Sequence, residues 1–338
     1  MTAAKSGKRI LSGIQPTGNL HIGNYLGALR NWIAAQDHIG VDDTYLFMLA
    51  DLHTMTVPFV AADLRHTSLD LTAWYLALGL DPKKVDIFLQ SENPDHSYLA
   101  WIFNCITPVS WLERMTQYKD KGSKDGERAS TGLLTYPTLM AADILLYDAD
   151  EVPVGEDQAQ HVEIARDIVE RFKHLFGEMF TLPKFVTEKT LTRVMSLQDA
   201  TKKMSKSDAN QNGVIRLIDV PDVITQKIKR AETDSESEVR YDVNNKPAIS
   251  NLLAIYAGFS GKSIQDIEKD YHGIGYAQFK TDLAEVVVNF LEPIQKEHAR
   301  LMKDTGYIHT ILDRGSEKAR SISSKKILAV REVLGILR

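Results

Sequence analysis

No apolar run in this chain approaches the roughly 20 residues that a helix needs to cross a bilayer. Met1 to Lys8 is short, polar and basic, with no apolar core of a secretory signal behind it, so a cytoplasmic location is expected. Cysteine is nearly absent. Cys105 is the single one, which excludes an intramolecular disulfide and a cysteine-built zinc or iron–sulfur centre. Its neighbours Ile102, Phe103 and Ile106 are apolar, so a buried structural place is expected for it, in a reducing compartment. No cluster of Asp and Glu suggests an all-protein metal cage. A large excess of one charge is missing too. The net charge of −5 argues against indiscriminate nucleic-acid binding while leaving room for a local basic patch. Such a patch lies at Arg314 to Arg338, where seven Lys and Arg stand against two Glu. It reads as a solvated helix face or as a surface that tracks RNA phosphates.

What is present is an ordinary globular composition, 43% apolar and 25% charged, in 338 residues, long enough for two domains. The first half alternates strand and helix signals. Strands are predicted at Arg9–Ser12, Tyr45–Ala50, Val85–Gln90 and Val152–Val154. Helices are predicted at Ile22–Gln36, Ala61–Leu78, Thr138–Tyr147 and Gln158–Phe176. That order implies a parallel sheet with helices on both faces. After Gln211-Asn212-Gly213 the strand signals fade. Pro221–Arg230 and Ala248–Ala257 look helical, and Phe279, Leu283, Val286, Val287, Phe290, Leu291 and Ile294 form a helix stripe. The chain therefore reads as an α/β domain, a hinge loop and an all-helical domain.

Two segments carry phosphate chemistry. Ser12-Gly13-Ile14-Gln15-Pro16-Thr17-Gly18-Asn19-Leu20-His21-Ile22-Gly23-Asn24 leaves the first strand by a tight turn and enters a helix. A helix N-terminus there presents free amides and partial positive charge to an anion. His21 and Asn24 can donate to phosphate or sugar oxygens, and Gly23 is expected to let a base or ribose approach. Far downstream, Lys203-Met204-Ser205-Lys206-Ser207 sets two lysines in a small polar stretch that can fold over a polyphosphate.

The pair, in this order, resembles the signatures of class I aminoacyl-tRNA synthetases. Over nearly its whole length the chain is similar to the bacterial tryptophanyl-tRNA synthetase family, of class Ic. Leu133-Leu134-Thr135-Tyr136-Pro137 through Met140-Ala141-Ala142-Asp143-Ile144-Leu145-Leu146-Tyr147 and Val152-Pro153-Val154-Gly155-Glu156-Asp157-Gln158 carry the likeness further. Asn24 replaces the final histidine of the general class I signature, as in the tryptophan branch. The resemblance implies a Rossmann-like catalytic domain over 1–200, with a dimer-forming insertion near 54–120. It also implies a mobile lysine loop at 201–212 and a helical anticodon-binding domain at 213–338. Gln15, Pro16, Thr17, Gly23 and Asn24 would contact ATP, and Gly155, Glu156, Asp157 and Val194 would line the adenosine pocket. Lys203, Met204, Ser205, Lys206 and Ser207 would close on the phosphates. The candidate catalytic residues are Lys203, Lys206, Gln15 and Asn24. The implied partners are L-tryptophan, ATP with Mg²⁺ held mainly through its phosphates, tRNA(Trp) and a second copy of the chain.

Asp143 lies in an apolar helical run, where an unpaired carboxylate is costly. A partner elsewhere in the core, such as an arginine, could satisfy it, or a ligand that brings a donor. An indole has one N–H on an otherwise apolar surface. The resemblance makes Asp143 the indole acceptor, with Tyr136 and Gln158 near the substrate ammonium and Met140, one turn away, against the ring. His53, at the end of the second strand, reads foremost as a satisfied structural histidine. Lys121 is a further candidate for reaching ATP. A tyrosine-specific synthetase, another adenylate-forming enzyme and a non-enzymatic RNA binder are the competing readings.

Overall fold

Thr44–Leu49, with the sequence Tyr-Leu-Phe-Met-Leu after its threonine, is buried along nearly its whole length. The computed structural model describes residues 7–18, 20–116, 118–119, 130–153, 159–186, 193–206, 208 and 210–337. Strand β1 is Arg9–Ile14, β2 Thr44–Leu49, β3 Asp86–Leu89, β4 Glu151–Pro153 and β5 Lys184–Val186. They form one parallel sheet in the order β3-β2-β1-β4-β5, with Ile10 opposite Tyr45, Leu46 opposite Asp86 and Val152 opposite Phe185. Alternate residues of β2 enter different cores. Tyr45, Phe47 and Leu49 pack with Trp32, Trp74 and Tyr75 on one face. Leu46 and Met48 pack with Phe88, Phe103 and Phe172 on the other.

The fifth strand was not foreseen. It is three residues long, at the sheet edge, and carries a lysine. A second small sheet pairs β6, Met195–Ser196, with β7, Asp199–Lys203. The lysine segment expected to be loop from 201 therefore starts as strand.

The segment predicted as one helix, Ile22–Gln36, is broken. It runs as α1, Ile22–Asn24, a π turn at Tyr25–Leu29, α2, Arg30–Ala35, and a 3-10 turn at Gln36–His38. Tyr25, Leu26, Leu29 and Trp32 are all buried in the core along this segment. Then follow α3, Asp51–Thr54, α4, Ala61–Ala77, α5, Asp95–Ile106, and α6, Val109–Glu113. On α5, Leu99, Ile102 and Phe103 face inward. Trp101 and Cys105 share the opposite face, so Cys105 is exposed, contrary to the burial expected from its apolar neighbours. Helix α7, Thr131–Leu145, begins seven residues before its predicted start. Ser130 caps it by accepting from the Leu133 N–H at 3.2 Å, and Pro137 is carried inside it. Helix α8 is Ala159–Phe176.

The C-terminal helices are α9, Pro221–Lys229, α10, Pro247–Ser260, α11, Ile264–Asp270, α12, Tyr276–Lys303, and α13, Thr305–Val333. Phe279, Leu283, Val287 and Leu291 of the predicted stripe are buried on α12. The packing does not follow a boundary at 213. Ile308, Ile311 and Leu312 at the start of α13 join the core shared with the helical part. Ala319, Ile327 and Val330 join the core on the other face of the sheet. Between them Gly315 lies directly on the backbone of Ile87 in β3, where a Cβ would run into the carbonyl. Helix α13 thus covers the exposed edge of the sheet. Its basic run is correspondingly divided. Lys326 is buried against Asp148 at 2.6 Å, and Arg320 donates to the Glu92 carbonyl at 3.1 Å. Arg314, Lys318 and Lys325 remain exposed.

Candidate active site

In the order β3-β2-β1-β4-β5, the direction of winding reverses between β1 and β4. The carboxyl ends of strands flanking such a reversal open into a crevice. A cavity of about 200 Å³ lies there, more than the roughly 150 Å³ that suffice for a benzene ring. Leu11, Met48, Ile144 and Val152 give it apolar walls, and Gln15, His53, Tyr136, Asp143 and His161 bring polar atoms, with Met140 between them.

Asp143 is nearly inaccessible, at 2% exposure. It does not stand alone, and its partner is no arginine. Its Oδ1 accepts from Gln90 Nε2 at 2.7 Å and from His96 Nδ1 at 2.6 Å, and its Oδ2 accepts from His53 Nε2 at 2.8 Å. The amide of Gln90 is oriented by its own Oε1, which accepts from the Leu52 N–H at 3.1 Å. Burial alone pushes the Asp143 pKa up. The hydrogen bonds donated by His53 and His96 outweigh burial and lower it to about 2. The carboxylate is therefore ionised at neutral pH. Three of its four lone-pair positions are used by described residues, and one on Oδ2 is left for a ligand. His53 is thus both a satisfied buried histidine and part of the cavity wall.

Tyr136 projects from α7 with its hydroxyl 2.6 Å from His161 Nε2, and burial raises its pKa. His161, on α8, was not singled out from the sequence. Neither were Gln90 and His96 given a role. Gln90 had one available signal, its position just after the buried strand β3.

The two phosphate-type segments meet beside this cavity. Leu217 donates its N–H to the Leu20 carbonyl at 2.8 Å, and Ile22 donates to that of Ile215 at 3.0 Å. Met204 is buried and donates to the Val194 carbonyl at 3.0 Å. Lys203 and Lys206 are exposed on either side of it, with Ser205 half-buried. Lys206 Nζ contacts Thr17 Oγ1. Gln15 belongs to the cavity and Pro16 to the same tight turn, in which Thr17 N–H donates to the Gln15 carbonyl at 2.8 Å. One turn after β1 therefore serves both the cavity and the lysines. Asn24 Oδ1 accepts from the His21 N–H at 3.0 Å, which leaves the Asn24 amide NH₂ for a ligand. The face of Gly23 expected to admit a nucleotide is lined by His21 and Val194. A Cβ there would stand 2.9 Å from His21 Nδ1 and 3.6 Å from Val194 Cβ. Asn19, Lys121, Gly155, Glu156, Asp157, Gln158 and Ser207 lie outside the described residues.

His21 is buried, and its Nδ1 has no hydrogen-bond partner among the described residues. Burial, then the charges of Lys203 and Lys206, lower its pKa from 6.5 to about 4. The unfolded chain would take up the proton first as pH falls. The associated stability is complete above pH 6.5 and is lost on the way down to about 4, by roughly 3 kcal/mol. An NMR titration of His21 is expected to give a midpoint near 4; an ordinary histidine midpoint would contradict this placement.

Comparison with known proteins follows the same lines. The model of the class I tRNA synthetases for tryptophan and tyrosine (W and Y) matches residues 4–292. The tryptophan–tRNA ligase of Rickettsia conorii is 48% identical over 331 residues, covering 98% of this chain and 99% of that one. That of Clostridium tetani is 46% identical, covering 98% and 96%. Among solved structures, the tryptophanyl-tRNA synthetase of Campylobacter jejuni complexed with ADP and tryptophan superimposes with a TM-score of 0.83 at 37% identity, covering 97% of this chain and 99% of the other. A tyrosyl-tRNA synthetase from Archaeoglobus fulgidus shares the fold, with a TM-score of 0.68 at 20% identity over 87% of this chain and 91% of that one.

Proposed function

The chain belongs to the class I tRNA synthetases of the tryptophan and tyrosine type, and from that premise we infer that it joins L-tryptophan to tRNA(Trp) with cleavage of ATP to AMP and diphosphate. It is a tRNA-charging ligase, and tryptophan and ATP are its small substrates. The observation that carries the choice of amino acid is the ionised Asp143 in the wall of the cavity, with one acceptor position open on Oδ2. An indole N–H fills that position. Phenylalanine brings no donor and would leave it empty, a defect that rejects an analogue strongly.

The roles of the remaining residues are part of the same proposal. Tyr136 donates its proton to His161 Nε2, which turns a hydroxyl lone pair to the substrate ammonium. Gln158 assists it, and Met140 lies against the indole. The tryptophan carboxylate attacks the α-phosphorus of ATP, the bond to the bridging oxygen breaks, and diphosphate leaves. Gln15, Pro16, Thr17, Gly23, Asn24 and Val194 hold the nucleotide, with Gly155, Glu156 and Asp157 around adenosine. Lys203 and Lys206 meet the charge that grows on the leaving diphosphate, with Met204, Ser205 and Ser207 closing beside them. Mg²⁺ supplies further neutralisation from the phosphates. The terminal 2′-hydroxyl of the tRNA then attacks the adenylate carbonyl, and AMP leaves.

In this reading Lys203 to Ser207 move onto the phosphates as ATP binds. Structures with and without an ATP analogue that hold them in one place would contradict it. The anticodon end rests on α9 to α12, while α13 belongs to the catalytic sheet. Met55, Phe59, Val60, Tyr98, Trp101 and Val109 are exposed apolar side chains in or beside 54–120, and they support a homodimer across that surface. A sedimentation mass of one chain would oppose the dimer. No helix among the described residues is long and apolar enough to cross a membrane, and a cytoplasmic site of action is proposed. Charging of tRNA(Trp) by the purified protein tests the function as a whole. Failure to acylate it with tryptophan, ATP and magnesium present would overturn the reading.

A further inference from the structure

Behind the cavity, a line of buried polar side chains runs from Asp143 to the C-terminal helix. His96, Tyr147 and Ser323 have no exposure and Asn93 has 1%. His96 Nε2 lies 2.7 Å from the Tyr147 hydroxyl, and Asn93 Nδ2 lies 3.0 Å from that hydroxyl and 3.0 Å from Ser323 Oγ. Ser323 Oγ in turn donates to Asp95 Oδ2 at 2.6 Å. The surroundings are apolar, with Phe88, Phe103 and Ile327 in the same core. Such a network is costly there unless every member is satisfied.

The hydrogens can be assigned one by one. Asn93 Oδ1 accepts from the Asp95 N–H at 3.2 Å, which fixes the amide so that both hydrogens of Nδ2 point at Ser323 and Tyr147. Tyr147 therefore accepts from Asn93, and its own proton has His96 Nε2 as the acceptor in the network. His96 must then carry its proton on Nδ1, where it donates to Asp143 Oδ1. With the Gln90 amide oriented by Leu52, both donors on Oδ1 are set from behind. The carboxylate plane is fixed, and with it the direction of the free lone pair on Oδ2.

We propose that Tyr147, Asn93 and Ser323 are positioning residues for tryptophan recognition, holding His96 in one tautomer and thereby aiming the Asp143 carboxylate at the indole N–H. Helix α13 is then part of the amino-acid site, although it touches no substrate. Ser316 and Arg320 pin the same helix to Glu92, two turns before Ser323 and one turn before it, so the relay has a rigid end. This inference rests on the reading of Asp143 as the indole acceptor.

The test compares tryptophan with β-(3-benzothienyl)alanine, in which sulfur replaces the indole N–H, by ATP–diphosphate exchange. Tyr147→Phe removes one hydroxyl and keeps the packed ring; Ser323→Ala removes the far end of the relay. Tyr147→Phe is expected to lower the kcat/KM preference for tryptophan about tenfold, and Ser323→Ala about threefold, with KM for ATP unchanged. A purely structural role would change both amino acids alike, or KM for ATP, and would overturn the proposal. Asp143→Asn separates the two claims. If it abolishes the preference while Tyr147→Phe and Ser323→Ala keep it within twofold of the wild type, the relay is wrong and the indole acceptor stands. If Asp143→Asn keeps the preference, the acceptor reading fails and the relay falls with it.

Discussion

Asp143→Asn is expected to lower kcat/KM for tryptophan in ATP–diphosphate exchange about 10³-fold, close to 4 kcal/mol of transition-state stabilisation, while KM for ATP is unchanged. The amide fits where the carboxylate sat. Its oxygen can take the Oδ1 place between Gln90 and His96, and its NH₂ then occupies the Oδ2 place. His53 can accommodate that NH₂ by shifting its proton to Nδ1 and accepting at Nε2. The second amide hydrogen, however, now meets the indole N–H, donor against donor. Alanine would be a poorer test. It would strand the donors of His53, His96 and Gln90 in the core, at about 1–3 kcal/mol for each unsatisfied group, and mix unfolding with lost recognition. The check is exchange kinetics alongside a thermal melt. A catalytic efficiency within threefold of the wild type, in a folded protein, would refute the role given to Asp143.

Lys203→Ala and Lys206→Ala are each expected to reduce kcat of exchange about 10²- to 10³-fold, since each removes a positive group from the place where diphosphate charge develops. Tryptophan binding should not change, because neither lysine lines the cavity. Both side chains are exposed and Met204 between them supplies the buried anchor, so the substitutions leave the core intact. They should also raise the pKa of His21, which their charges help to lower. Equilibrium binding of tryptophan, followed by intrinsic fluorescence, separates the two effects. Normal exchange in Lys203→Ala and Lys206→Ala would remove the lysines from the mechanism.

Much of this architecture was readable from local patterns, and the rest was not, for physical reasons. The first four strands are apolar runs, or end at a proline, and their alternation with helices leads to a parallel sheet. Strand β5 is only three residues long and the β6–β7 hairpin is short and largely polar, so their pairing partners, rather than their side chains, make them strands. A π turn inside Ile22–Gln36 leaves the same apolar residues in sequence as an unbroken helix would. Helix α13 reads as basic and amphipathic, and nothing local in Gly315, Ser316, Ala319 and Ser323 shows that these small residues lie against the sheet edge and the relay. Cys105 follows Trp101 by one turn on the solvent side of α5, a phase that its apolar neighbours disguise.

The site divides in the same way. The turn after β1, the lysine pair and Asp143 are contiguous motifs with their own chemistry. His53, Gln90 and His96 lie 90, 53 and 47 residues from Asp143, and only the winding of the sheet brings them together. Sequence reasoning therefore expected either a partner elsewhere in the core or a ligand for Asp143. The structure supplies core partners, His53, Gln90 and His96, and these leave an acceptor position open.

The most direct measurement is ATP–diphosphate exchange by the purified protein with magnesium, offering tryptophan, tyrosine and phenylalanine separately. Rapid exchange with tryptophan and almost none with the other two is the expected result. Silence with tryptophan, or tyrosine serving equally well, would contradict it.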